Sequence, residues 1–172
     1  MARAYKAGIV AKLCLDLNIK LICFDFDKTL VNCHTGGVWN DTVVVLANKM
    51  AKWAKDLFPQ IDLIRKVLLA QFPGRRELIE KMQIRGETDD WVRPSWAPQV
   101  GKEPHIASVV DYYLSKGQRI DCAEILLIDD DSNNILSARI VGKHRAVHVT
   151  DRFNLDTFID ILKTTGGETS PK

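Results

Sequence analysis

Two apolar segments of the sequence end in acidic residues, and this feature restricts the possible folds more than any other. The stretch LICFDFDKTL places Asp25 and Asp27 at its acidic end, and ILLIDDDSNN carries three acids at 129–131. Nearly continuous apolar runs of this length are typical of parallel strands that are covered on both faces. The sequence therefore predicts two buried strands that each end in carboxylates.

Helical patterns separate the predicted strands. Apolar residues recur at spacings of three and four in several segments, which predicts amphipathic helices at 5–17, 43–57, 61–72, 106–114 and 155–162. Two further strands are predicted, at Met82–Arg85 and in RAVHV at 145–149. Alternating strands and helices predict an α/β fold with a doubly wound, mainly parallel sheet.

The length of the chain is consistent with one sizeable core. At 172 residues it is long enough for one such core and too short for two comfortable ones. We expect an N-terminal helix at residues 1–19 packed on the core, an α/β domain at 20–163 and a flexible tail at 164–172. No insertion large enough to form a cap domain is apparent after the first strand.

Composition excludes several classes of partner. The net charge of +2 does not favour an extended nucleic-acid surface. No apolar run approaches the ~18 residues that a membrane span requires, and we expect no signal peptide. The four cysteines include no pair with CxxC spacing, which argues against a zinc site. We expect free thiols and a reducing, cytoplasmic setting.

The acids that follow the strands suggest a metal site. In a parallel sheet the carboxyl ends of the strands meet at one edge, where ligands bind. Asp25, Asp27, Asp129 and Asp130 would repel one another there, and a divalent cation relieves this repulsion. Oxygen ligands favour Mg²⁺ over zinc. Lys102, which lies just ahead of a predicted helix, is the candidate cation to balance a phosphate.

Three segments together resemble the haloacid dehalogenase-like (HAD) superfamily of phosphatases and phosphotransferases. ICFDFDKTL resembles its first motif, an apolar strand followed by DxDx[TV]. GKEPHI is similar to the segment with the third-motif lysine, and ILLIDDDSNN to the fourth motif, an apolar strand with an acidic pair. The resemblance spans residues 20–150 and implies a Rossmann-like fold, closest to small capless magnesium-dependent phosphatases.

The resemblance also implies roles for individual residues. Asp25 would be the nucleophile that forms an aspartyl-phosphate, and Asp27 would protonate the leaving oxygen and then activate water. Lys102 would neutralise the phosphoryl oxygens, and Thr29 would order the loop at the substrate. The substrate would be a phosphorylated small molecule or a phosphoprotein. The implied ligands of Mg²⁺ are Asp25, Asp27, Asp129 and Asp130, with Asp131 as a further option.

One motif of the family is not found. Its second motif, an apolar strand ending in Ser or Thr, should fall between Thr29 and Lys102. The join DLFPQIDLIRKVL passes directly from one helical pattern into the next. Our hypothesis is that a helix–strand unit is missing near Gln60–Ile61, by deletion or by splicing. Its loss would remove a hydrogen bond to the phosphate and leave the first strand with an unpaired edge.

Other interpretations remain open for the same residues. Asp25 and Asp27 could be a solvated strand end, the acids at 129–131 could cap a helix, and Lys102 could be an ordinary surface lysine. A catalytically impaired binding or scaffold protein on the same fold is the alternative function. A two-component receiver domain also uses acids and a lysine. Its acidic pair lies on the first strand and its lysine late, which is not the order here.

Overall fold

In the computed structural model of this protein, the described part of the chain contains three strands that form a parallel sheet. The residues that the structure describes are 2–25, 65–66, 68–70, 72–85, 91–149 and 155–165. The chain divides into two compact units, one of Met1–Asp25 with Trp96–Lys172 and the other of Phe26–Ser95. All three described strands belong to the first unit.

The strand order places the second strand at the centre. Strands β1 (Leu21–Phe24), β2 (Ile125–Asp129) and β3 (Arg145–His148) are hydrogen-bonded in the order β1-β2-β3, and both pairs are parallel. Leu21 stands opposite Ile125, and Asp129 stands opposite His148. The carboxyl ends of all three strands therefore lie at one edge, and the α/β class with a parallel sheet is confirmed.

Five α-helices have bounds that fall within the described residues. They are α1 (Ala2–Asp16), α2 (Arg76–Lys81), α3 (Glu103–Ser115), α4 (Ser132–Ser137) and α5 (Leu155–Thr165). A π-helical turn, Ala138–Gly142, continues α4, and short 3₁₀ turns precede α2 and β2. Pro104 lies in the first turn of α3, where its missing N–H removes no helical hydrogen bond.

Strand β2 has buried residues throughout, and its two faces contact different hydrophobic clusters. Leu126 and Ile128 belong to a cluster that includes Phe158 and Leu162 of α5 and is flanked by apolar residues of α1. Side chains alternate along a strand, so the neighbouring residues of β2 face the other way. They pack with Ile106 of α3 and with Ile135 of α4. Burial on both faces is thus confirmed for β2.

Burial on both faces is wrong for β1. Along this strand half-buried and exposed positions alternate, and the side chains of Ile22 and Phe24 are 38% and 44% exposed. Leu21 and Cys23 instead pack toward the cluster that contains Ile106. Among the described residues β1 pairs with one strand only, and a strand at the end of a sheet has fewer neighbours to cover it.

The predicted strand at Met82–Arg85 is also wrong, because these residues form no strand. The Arg65 guanidinium donates hydrogen bonds to the carbonyls of Ile79 and Glu80 at 3.1 and 2.8 Å, and reaches that of Met82 at 3.5 Å. The carbonyls of Ile79 and Glu80 belong to the last turn of α2, where carbonyls have no partner within the helix. Arg65 therefore covers the end of that helix, and the chain continues through Met82–Arg85 without pairing as a strand.

Other predictions lie wholly or partly outside the described residues. The helix predicted at 43–57 and the join near Gln60–Ile61 lie wholly outside. Within the helix predicted at 61–72, residues 65–66 and 68–70 are helical. The predicted tail at 164–172 lies outside from residue 166 onward.

No helix in the described part of the chain combines the length and the apolar character needed to cross a membrane. Three of the cysteines lie in that part: Cys14, Cys23 and Cys122. All three are free thiols, and burial, together with the negative charge of Glu103, raises the pKa of Cys23 to about 12. The Cys23 thiol is therefore protonated at neutral pH.

Glu124 connects the start of β2 to the residues ahead of β1. Its Oε1 accepts a hydrogen bond from Asn18 Nδ2 at 2.7 Å and lies 2.7 Å from Lys20 Nζ. Its Oε2 accepts from the backbone N–H of Asp121 at 3.0 Å. The Asp121 hydrogen bond first, and then the Lys20 ammonium, lower the pKa of Glu124. The ionised carboxylate thus helps to fix the register between the first two strands.

We predict that Glu124→Gln lowers the free energy of unfolding at neutral pH. The pKa of Glu124 is lower in the folded state, so its contribution is present above the ordinary value of 4.5. That contribution is lost as the pH falls through the folded-state pKa. In urea titrations the gap between wild type and variant should therefore shrink in acid.

Glu80→Gln is the matched control for this experiment, because Glu80 is an exposed carboxylate that pairs with Arg76 on α2 at 3.1 Å. Exposed pairs of this kind contribute little to stability. A gap for Glu124→Gln that stays constant from neutral to acidic pH would contradict the assigned role of its charge.

Candidate functional site

Asp129, the last residue of β2, is a buried carboxylate. It is 1% exposed. Its Oδ1 accepts a hydrogen bond from the backbone N–H of Asp131 at 2.8 Å, and its Oδ2 accepts one from Asn134 Nδ2 at 3.0 Å. Burial raises the pKa of Asp129, the charge of Asp25 raises it further, and the two hydrogen bonds and Lys102 act in the opposite direction.

Asp25 follows β1 at the same edge of the sheet. Its backbone N–H donates to the carbonyl of Ile128 at 2.8 Å, which extends the β1–β2 pairing by one residue. This hydrogen bond holds Asp25 beside the end of β2. Its side-chain Oδ1 lies 2.7 Å from Lys102 Nζ. A carboxylate and an ammonium group from distant parts of the sequence therefore form an ion pair at this edge.

Three carboxylates meet here: Asp25, Asp129 and Asp130 each offer one oxygen, and these oxygens lie within 4.8 Å of one another. Asp25 and Asp130 are partly exposed, whereas Asp129 is buried. We name this group the Asp25–Asp129–Asp130 cluster. Three negative charges at such distances repel one another, and the arrangement suits a cation that binds all three.

The end of β3 fixes the backbone of the second acidic segment. Val149 N–H donates to the carbonyl of Asp129 at 2.8 Å. His148 Nε2 lies 2.9 Å from the carbonyl oxygen of Asp130. A carbonyl can only accept, so Nε2 carries the proton and donates. These two hydrogen bonds orient both acids from the side opposite β1.

Lys102 is carried by a turn that packs closely on α4. Gly101 has a φ of +54°, a conformation that side chains rarely adopt. A Cβ at this position would stand 3.1 Å from Asn134 Oδ1 and 3.3 Å from Ser137 Cβ. Gly101 thus lets the turn approach the same asparagine that holds Asp129. The Lys102 side chain is about one third exposed, at 32%, so it is accessible to a ligand.

Asp131 has a different role from the other two acids of its segment. It caps α4, because its Oδ1 accepts a hydrogen bond from the backbone N–H of Asn133 at 2.8 Å. The helix-capping interpretation thus holds for Asp131, while Asp129 and Asp130 join the cluster. Capping fixes the first turn of α4 and with it the position of Asn134.

The structure therefore brings together four of the predicted site residues: Asp25, Lys102, Asp129 and Asp130. Two others, Asp27 and Thr29, lie outside the described residues. Most of the interval between Thr29 and Lys102 also lies outside, and the described parts of that interval contain no strand. The hypothesis of a missing helix–strand unit stays a hypothesis.

Sequence reasoning missed Asn134, His148 and Gly101. Asn134 lies in the quoted SNN segment, where an amide that follows an acidic strand end could have been identified as its hydrogen-bond donor. His148 lies at the end of the predicted strand RAVHV, and its position at the carboxyl edge was a usable signal. Gly101 immediately precedes the candidate lysine, which could have indicated a tight turn there.

Comparison with family models, with curated proteins and with solved structures finds no match to this chain. The interpretation of the site therefore rests on its own geometry and on the resemblance of its motifs.

The donor set of the cluster suits a hard divalent cation. All three ligands offer carboxylate oxygen, the donor type that Mg²⁺ prefers. Each oxygen of Asp129 accepts one hydrogen bond and has two lone-pair positions, so each retains a position for a cation. A bound cation would also favour the ionised form of this buried acid. The residues present therefore fit a magnesium ion.

We predict opposite effects for the same substitution at two glycines. Gly101→Ala should lower the free energy of unfolding by about 1–3 kcal/mol, because alanine is strained at positive φ and meets Asn134. Gly8→Ala should raise it by about 0.5–1 kcal/mol, because Gly8 lies within α1 with open space around it. Chemical denaturation measures both, and equal effects would contradict the close approach at Gly101.

Proposed function

We propose that this protein is a magnesium-dependent phosphomonoester hydrolase that acts through an aspartyl-phosphate, on a doubly wound Rossmann-like fold of the HAD type. Its substrate is a phosphorylated small molecule or a phosphoprotein. The observation that carries the proposal is the meeting of Asp25 with Asp129, Asp130 and Lys102 at the carboxyl edge of a parallel sheet. These are the residues that the resemblance assigns to nucleophile, metal site and phosphate binding.

The fold supports the proposal by its arrangement. Ligands of open α/β sheets bind beyond the carboxyl ends of the strands, and the cluster lies at that edge. Hydrophobic clusters pack against both faces of β2, as a doubly wound sheet requires. The order of the acids and the lysine along the chain also agrees with the resemblance.

Asp25 is the nucleophile in this proposal. Its carboxylate oxygen attacks the phosphorus, and the bond between the phosphorus and the leaving oxygen breaks. Lys102 lies 2.7 Å from Asp25 Oδ1, so a phosphoryl group next to that oxygen is within reach of the ammonium. Lys102 thus offsets the charge of the phosphoryl oxygens while the anionic nucleophile approaches.

Asp27 transfers the protons in this proposal. It gives a proton to the leaving oxygen and later takes one from the water that attacks the aspartyl-phosphate. That second attack releases inorganic phosphate and restores the Asp25 carboxylate. Asp129 and Asp130, with Asp25, would hold Mg²⁺, which supplies charge neutralisation for the phosphoryl group. Thr29 orders the loop beside the substrate.

A second candidate function is a binding or scaffold protein that has lost catalysis. One observation favours it: β1 has a single strand neighbour among the described residues, and Ile22 and Phe24 are exposed on it. The phosphate-binding strand of the second motif would normally stand beside this edge. Without the Ser or Thr of that strand, turnover would be slow or absent while cation binding persists.

We predict that the wild type hydrolyses p-nitrophenyl phosphate in the presence of Mg²⁺ and that Asp25→Asn lowers kcat by about 10³-fold or more, because the nucleophile is lost. Asp16→Asn is the matched control, because Asp16 is an exposed acid paired with Lys12 on α1, away from the sheet edge. Equal turnover by wild type and Asp25→Asn would refute the nucleophile assignment. A wild type that binds Mg²⁺ without turnover would favour the scaffold.

We also predict that Mg²⁺ raises the Tm of the wild type, because a ligand that binds only the folded state stabilises it. At a concentration about 100 times Kd the gain in free energy of unfolding is about 2.7 kcal/mol. Asp130→Asn should reduce this shift, and Asp16→Asn should leave it unchanged. Titration calorimetry measures the affinities directly, and an unaltered Mg²⁺ affinity in Asp130→Asn would exclude that residue as a ligand.

A further inference from the structure

A buried carboxylate–imidazole pair begins at the residue that follows Lys102. Glu103, the first residue of α3, is 4% exposed, and His144, which precedes β3, is 9% exposed. Glu103 Oε2 lies 3.0 Å from His144 Nε2. On the other side of the imidazole ring, His144 Nδ1 lies 3.3 Å from the carbonyl oxygen of Cys122. The pair thus connects the start of α3 to the residues ahead of β2 and β3.

The two hydrogen bonds of His144 define how the pair holds its protons. The Cys122 carbonyl can only accept, so Nδ1 carries a proton and donates. A second proton is then needed between Nε2 and the Glu103 carboxylate, whichever of the two atoms carries it. The pair as a whole is therefore neutral. Because no net charge is buried, the desolvation cost of the pair is lower than that of a lone carboxylate.

Glu103 depends on His144 for its orientation. Its second oxygen, Oε1, is buried and has no hydrogen-bond partner among the described residues. The contact with His144 is therefore the hydrogen bond that holds this side chain in the described part of the chain. Removing it would leave the whole carboxylate buried without a partner, which is unfavourable, and the start of α3 would shift to relieve this.

Gly142 provides the space for the pair. A Cβ at this position would stand 2.3 Å from Glu103 Oε2 and 2.4 Å from His144 Cδ2. These distances are too short for any side chain, so an alanine would displace the pair without altering its chemistry. The end of the π-helical turn is thus fitted to the pair, which gives a second way to disturb it.

We propose that Glu103 and His144 are positioning residues that hold Lys102 against Asp25. Lys102 immediately precedes Glu103 and is the N-cap residue of α3, so the anchored Glu103 fixes the backbone from which the lysine side chain extends. A long, flexible side chain needs a fixed starting point if its ammonium is to lie 2.7 Å from one carboxylate oxygen. The consequence for catalysis rests on the proposed phosphatase function, whereas the placement of Lys102 does not.

The placement of Lys102 is tested by its chemical reactivity. Acetylation of the intact protein by N-hydroxysuccinimide acetate is followed at each lysine by peptide mass spectrometry. The variant Asp25→Asn gives the reference acetylation rate of Lys102 in the absence of its ion pair with Asp25. We expect Glu103→Gln, His144→Gln and Gly142→Ala each to raise the rate at Lys102 by about fivefold toward that reference, since a partly exposed ion pair protects by about this factor.

Val109→Ala is the matched control, because Val109 is a buried residue of α3 outside the pair. It should destabilise the helix and leave the labelling of Lys102 as in wild type. The exposed Lys12 reports any general change in reactivity. Labelling of Lys102 at the wild-type rate in the three variants would overturn the proposal, and this holds whether or not the protein is a phosphatase.

A double-mutant cycle tests the consequence for catalysis. If Glu103 acts through Lys102, Glu103→Gln lowers kcat/KM by roughly 10- to 100-fold in wild type, the effect of a misplaced catalytic group. In the Lys102→Met background, Glu103→Gln should then lower kcat/KM little further. Effects that multiply independently would show that Glu103 has a structural role alone. Absence of wild-type turnover would reject the phosphatase proposal and leave the labelling result standing.

Discussion

The site depends on one constraint, a carboxylate buried at the end of the central strand. Asp129 ends β2, the strand with buried residues throughout, and water cannot solvate its charge there. The backbone N–H of Asp131 and the amide of Asn134 offset part of the desolvation cost. Nearby positive charge offsets a further part of this desolvation cost, and both Lys102 and a bound cation are suited to supply that charge. The composition of the edge follows from this requirement.

Much of the fold could be predicted from the sequence, because burial leaves a periodic trace. The apolar run of β2 and the helical stripes that became α1, α3 and α5 correspond closely to the structure. The exposure of Ile22 and Phe24 could not be foreseen, since an apolar run does not reveal how many strands stand beside it. The strand expected at Met82–Arg85 failed for a similar reason, because four residues of alternating apolar and polar character do not reveal whether a strand stands beside them.

The candidate site likewise has a part that could be predicted from the sequence and a part that could not. Asp25 and the acids after β2 were predictable because parallel strands bring their carboxyl ends to one edge, and the structure places their oxygens within 4.8 Å. The residues around these acids and around Lys102 left weaker signals. His148 and the Glu103–His144 pair act through single hydrogen bonds between distant positions, and such bonds have no period in the sequence. Polar networks therefore had to be found in three dimensions.

The topology of the sheet also has a consequence for the order of folding. Strands β2 and β3 pair across about twenty residues, whereas β1 pairs with β2 across about a hundred. During synthesis Asp25 leaves the ribosome long before Lys102 and Asp129 exist. The first strand therefore cannot pair with the second until about a hundred further residues have been made. Asp25, the candidate nucleophile, is thus the earliest residue of the site to be synthesised. It can reach its position only after β2, the strand that holds it, has been made.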